Sequence, residues 1–112
     1  MIRRLNLTVK LNWIGDYMIK YLEKEEDFNN IIQNRMLVDF YADWCGPCKR
    51  LGAILEEVDG IDILKVNVDL FQNISNKYGV MSIPTLIIFD KGNEVKKSIG
   101  FKTKEELLEF IK

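Results

Sequence analysis

Cys45 and Cys48 are the only two cysteines of the chain, three positions apart in Trp44-Cys45-Gly46-Pro47-Cys48. The 112 residues contain no histidine, which removes a Ser-His-Asp triad, a Cys-His pair and an imidazole metal site. A zinc half-site is the usual competitor for a Cys-x-x-Cys pair. Zinc needs two more ligands, and neither Cys nor His remains to supply them, so no metal is expected. What is left is sulfur chemistry. The pair follows an apolar run and precedes a helical pattern, so Cys45 falls in the N-cap region of a helix. Free N–H groups and the positive dipole end favour an anion there. That position predicts a lowered thiol pKa and a nucleophile for disulfides. Cys48, one turn on and less exposed, is placed to attack the mixed disulfide that results. Pro47 suits a first helical turn, where its missing N–H costs little. An inert buried pair is the bland alternative.

Asp39 is the single carboxylate in the apolar run from Met36 to Ala42. A buried carboxylate is expensive, so its pKa is expected to be raised. Alternation keeps it on one strand face with Tyr41. A structural pairing with Lys65, on what reads as a neighbouring strand, explains it without any chemistry.

These residues need a scaffold, and the hydrophobic periodicity supplies one. Residues 5 to 13 alternate strictly between apolar and polar, a strand pattern ending at Gly15-Asp16. Met18 to Leu22 reads as a second strand. Glu23 to Gln33 reads as a helix, with acids in its opening turn and Phe28, Ile31 and Ile32 on one face. Met36 to Ala42 suggests a central strand buried on both faces. Lys49 to Val58 carries apolar residues at helical spacing and stops at Gly60. Ile61 to Val68 alternates as a strand, and Leu70 to Tyr78 is a short helix ended by Gly79. Thr85 to Phe89 and Glu94 to Ile99 flank Asp90-Lys91-Gly92-Asn93, a hairpin signal. Thr103 with Glu106 fits a capping box for a last helix. The order is β-α-β-α-β-α-β-β-α, preceded by the extra strand candidate.

At this point the sequence resembles the thioredoxin family. Trp44-Cys45-Gly46-Pro47-Cys48 matches the family's signature, Val38-Asp39-Phe40-Tyr41-Ala42 its preceding strand, and Ile83-Pro84-Thr85 its cis-proline loop. Gly92 and Gly100 fall where the family places glycines. The likeness covers about residues 19–112. It implies an α/β thioredoxin fold: a central mixed β-sheet of four to five strands with helices on both faces. It also implies that Asp39 takes the proton from Cys48 through a water, with Lys65 as a tuner of Asp39. The resemblance further implies that Gly46 and Pro47 favour reduction. Trp44, Ile83, Pro84, Ile99 and Gly100 are the implied docking patch for an extended substrate segment.

The sequence also departs from the family pattern. Ala53, beside Gly52, stands where a helix-kinking proline is common, and Tyr41 where Trp is frequent. The stretch from Cys48 to Lys65 is several residues short, so the active-site helix is expected to be truncated. Residues 1–17 lie outside the likeness. They read as a dispensable extension with three bases against one acid, ahead of a domain spanning residues 18–112.

Sixteen basic against seventeen acidic residues leave no excess positive charge for a nucleic acid. No apolar run approaches the ~20 residues of a membrane helix, and no secretory leader is legible. A cytoplasmic monomer is expected. The resemblance implies a protein-disulfide reductase with no bound cofactor. It would be recharged by a thioredoxin reductase using NADPH and FAD, and would serve ribonucleotide reductase, peroxiredoxin and methionine sulfoxide reductase. Two other readings stay open: a non-catalytic binding subunit using the Trp44–Pro84 patch, and a glutaredoxin-like enzyme, whose usual dipeptide is Pro-Tyr rather than Gly-Pro.

Overall fold

A computed structural model describes residues 11–14 and 17–112. Strands β1 (Leu11–Ile14), β2 (Tyr17–Tyr21), β3 (Met36–Tyr41), β4 (Asp62–Asn67), β5 (Thr85–Asp90) and β6 (Asn93–Ile99) form one sheet in the order β1-β2-β4-β3-β5-β6. β2, β4 and β3 run parallel, while β1, β5 and β6 are antiparallel to their neighbours. Five strands are those expected for the fold. The sixth, β1, comes from the segment ahead of residue 18. The expected strand's residues 5–10 lie outside the described residues.

Helices α1 (Phe28–Ile31), α2 (Gly46–Leu55), α3 (Gln72–Lys77) and α4 (Lys104–Phe110) cover both faces. Strand alternation sorts the core into two halves. Met36, Val38 and Phe40 of β3 pack with Phe28, Ile32 and Ile74 beneath α1 and α3. Leu37 points the other way, into a cluster with Leu51 and Leu55 of α2 and Leu107 of α4. Every residue of Met36–Phe40 is buried, as a central strand requires. The even-numbered side chains belong to one face. Asp39 and Tyr41 therefore share the α2 face with Leu37, and so do Ile63 and Lys65 of β4.

Several elements differ from the periodicity reading. Glu23 to Gln33 is not one helix: Glu25–Asp27 form a 3₁₀ turn and only Phe28–Ile31 is α-helical. The acids Glu25, Glu26 and Asp27 fill that opening turn and have no apolar face to bury. α2 ends at Leu55 rather than Val58, and α3 starts at Gln72 because Leu70 sits in an exposed turn. The β5–β6 hairpin turns through Lys91 and Gly92, both at positive φ (54° and 83°), the geometry of a two-residue primed turn. The Thr103–Glu106 capping box is present in both directions.

Candidate active site

Cys45 is the N-cap of α2, with extended backbone (φ −90°, ψ 109°), and Pro47 lies in the first turn. The Cys48 backbone N–H donates to Cys45 Sγ at 3.2 Å. The helix thus aims a free amide as well as its dipole at the first sulfur. The two cysteines are joined in a disulfide with their Cα atoms 5.2 Å apart. Both are buried, while Gly46 and Pro47 between them are exposed. The Ile83–Pro84 bond is cis, as the resemblance implies, and the Ile83 carbonyl oxygen lies 3.9 Å from Cys45 Sγ.

The two sulfurs face different clefts. Cys45 lines an apolar groove of about 540 Å³ whose walls include Trp44, Pro47, Val68, Val80, Met81 and Ile83. Among the described residues no charged side chain lines it. Trp44 is largely exposed but held, its indole N–H donating to Asp69 Oδ2 at 2.9 Å. Met81 stands 94% exposed on the rim, a large apolar side chain left in water. Of the five residues expected in the docking patch, Trp44 and Ile83 line this groove. Pro84 is buried behind it, and Ile99 and Gly100 sit beside Pro84, whose carbonyl accepts the Gly100 N–H at 2.8 Å. Met81, Val80, Val68 and Asp69 were not singled out from sequence. The one available sign was a Met immediately ahead of the Ser82-Ile83-Pro84 turn, outside any apolar period.

Cys48 lines the second cleft, about 350 Å³ and more polar, with Tyr21, Tyr41, Gly52, Glu56 and Lys65. Asp39 lies fully buried in this region, and Lys65 is 8% exposed. β3 and β4 run parallel with Asp39 directly opposite Lys65, so the two side chains meet on the α2 face. Lys65 Nζ is 2.7 Å from Asp39 Oδ2, while Oδ1 has no hydrogen-bond donor among the described residues. Burial pushes the Asp39 carboxyl above its ordinary range, and the Lys65 charge and contact only partly oppose that.

Among the described residues no group of three or more His, Cys, Asp or Glu is placed to hold a metal. No helix among them is long and apolar enough to cross a membrane. A helix-capping sulfur in a disulfide, facing an apolar groove, suits thiol–disulfide exchange with an extended segment.

Comparison with known proteins agrees with this geometry. The sequence model of the thioredoxin family matches residues 19–112. The thioredoxin of Chlamydia trachomatis serovar D is 41% identical over 98 residues, covering 84% of this chain and 96% of that relative. That of Staphylococcus epidermidis is 47% identical over 93 residues, covering 78% and 89%. Among solved structures, a mutant thioredoxin from Halobacterium salinarum superposes with a TM-score of 0.76 at 32% identity, covering 83% of this chain and 87% of that one. The chain belongs to the thioredoxin family and is a thiol-disulfide oxidoreductase of the protein-disulfide reductase type.

Proposed function

We propose that Cys45 is the attacking sulfur, Cys48 the resolving one, and Asp39 the base for Cys48. The Cys45 thiolate attacks one sulfur of a client disulfide. The client's other sulfur leaves as a thiolate, and a Cys45–client mixed disulfide forms. Cys48 then gives its proton to Asp39 and attacks Cys45 Sγ. The client's second sulfur leaves, and the Cys45–Cys48 disulfide is complete. Two electrons have passed to the client. Lys65 tunes Asp39, and Gly46 and Pro47 shape the exposed turn between the sulfurs. Trp44 and Ile83 flank the incoming segment, with Pro84, Ile99 and Gly100 beside them.

The observation that supports this division of labour best is the pair of clefts: the apolar groove meets Cys45, and the polar cleft meets Cys48 together with Lys65, the partner of Asp39. The enzyme works as a cytoplasmic monomer, recharged by a thioredoxin reductase that passes electrons from NADPH through FAD. Its clients are disulfide forms of proteins such as ribonucleotide reductase, peroxiredoxin and methionine sulfoxide reductase. Residues 18–112 form the catalytic domain, and residues 1–17 are an extension that turnover does not need, although β1 pairs with the β2 edge. NADPH-coupled insulin reduction with candidate reductases tests the assignment, run on the full chain and on one starting at Met18. Equal turnover in both is expected. No turnover with any reductase or dithiol overturns the functional reading, and turnover lost only in the shortened form overturns the dispensable extension.

A further inference from the structure

Lys65 is surrounded in a way that pairing with Asp39 alone does not require. On its other side, β2 places Tyr21 directly opposite it in register. Tyr41, two residues beyond Asp39 on β3, reaches the same face. The Lys65 ammonium lies 4.8 Å from the Tyr41 ring centroid and 6.0 Å from that of Tyr21. The two rings meet edge to face, 6.2 Å apart at 84°. From above, α2 presents Gly52, where a Cβ would lie 3.3 Å from Lys65 Nζ. The ammonium is thus confined between a helix that leaves just enough room and two aromatic rings.

We propose that Tyr41, backed by Tyr21 and faced by Gly52, is a positioning residue that clamps the Lys65 ammonium against Asp39 and thereby tunes the proton transfer from Cys48. An aromatic face attracts a cation most strongly where both are desolvated, and it does so without drawing off the cation's hydrogen bonds. A carboxylate in the same place would compete with Asp39 for the charge. Burial above all, with Tyr21, Asp43 and Asp39 adding to it, pushes the Tyr41 phenol up to about 12. The ring therefore stays neutral throughout the working range. The other titratable groups on the cleft are Tyr21 from β2, Asp43 from the loop after β3, and Cys48, Lys49 and Glu56 from α2 and its end. Asp43, Lys49 and Glu56 are exposed and solvated. The clamp matters to catalysis only because Asp39 is assigned as the base for Cys48.

The test measures two things on the full chain and its variants: the pH midpoint of the Asp39 carboxyl by carbon NMR, and the rate of client release from the Cys45 mixed disulfide against pH. Moving the ammonium by a few tenths of an ångström weakens its pull on Asp39 by enough to shift the acid limb upward by about half a pH unit. Tyr41→Leu is expected to slow release roughly threefold on that limb, and Tyr41→Phe, which keeps the ring, to retain the parental profile. Gly52→Ala is expected to give the same threefold loss with little change in Tm, because the costlier ionisation of Asp39 offsets Ala's better helix propensity. It carries the test if Tyr41→Leu does not fold. An unchanged Asp39 midpoint in Tyr41→Leu or Gly52→Ala overturns the clamp. A midpoint that moves without the release rate following overturns instead the assignment of Asp39 as the base.

Discussion

Asp39→Asn should make the protein more stable and a poorer reductase at once. The raised carboxyl pKa fixes the sign of the stability change. Folding strengthens proton binding at Asp39, so below the unfolded-state value both states hold the proton and the site adds no pH dependence. As pH climbs from there through the folded-state value, the native carboxylate must ionise in a buried site. The fold then loses about 1.4 kcal/mol for each unit of upward shift. The Lys65 contact at 2.7 Å offsets part of the burial penalty, and the upward direction says that burial prevails. Asparagine keeps the volume and drops the charge, which makes it a mimic of the protonated form at every pH. The gain at neutral pH should therefore be about 1.4 kcal/mol for each unit by which folding raises the Asp39 pKa, or roughly 4 °C in Tm for each kcal/mol. Urea unfolding of the oxidised protein and the variant from pH 4 to pH 9 measures it. The difference must shrink towards acid pH, with m-values equal. A variant no more stable than the parent at pH 8, or a gain independent of pH, refutes the reasoning. The same variant should release clients more slowly from the mixed disulfide, and an unchanged release rate removes Asp39 from the mechanism.

Three further outcomes are expected. Phe89 is fully buried and meets Phe28 and Tyr78 edge to face at 5.8 and 5.0 Å, so Phe89→Ala should lose about 3–5 kcal/mol in denaturant titration. Thr103→Ala removes the cap whose hydroxyl accepts the Glu106 N–H at 3.2 Å. It should cost about 1 kcal/mol in the same assay and leave insulin reduction intact. Met81→Glu puts a charge on the rim of an otherwise uncharged groove; it should lower kcat/KM for protein disulfides roughly tenfold, with little effect on a small disulfide such as oxidised dithiothreitol.

The parts of the site that could be read from sequence are those carried by local chemistry. The Cys-Gly-Pro-Cys turn announces its own helix start, and an acid inside Met36 to Ala42 stands out because apolar strands rarely contain one. Alternation even put Asp39 and Tyr41 on one face. What alternation cannot provide is register across the sheet. The pairing of Asp39 with Lys65 depends on β3 and β4 lying in parallel register across 26 positions of chain. Tyr21 joins them only because β2 flanks β4 on its other side. Gly52 stands out in the sequence only as the residue beside Ala53, whereas the structure gives it a neighbour across the cleft, the Lys65 ammonium. Met81 belongs to no period, so its place on the groove follows from how the loop before Pro84 folds over Cys45. Phe101 is 42% exposed with Arg50 over its ring, a place that no periodicity indicates.

The central claim is that Cys45 attacks and Cys48 resolves, and trapping tests it most directly. Reduced Cys48→Ser, mixed with a disulfide-containing protein, should accumulate a stable one-to-one adduct that mass spectrometry places on Cys45 and that dithiothreitol reverses. Cys45→Ser should form no such adduct at comparable speed. An adduct that forms as readily on Cys48 in Cys45→Ser, or none in Cys48→Ser, contradicts the account.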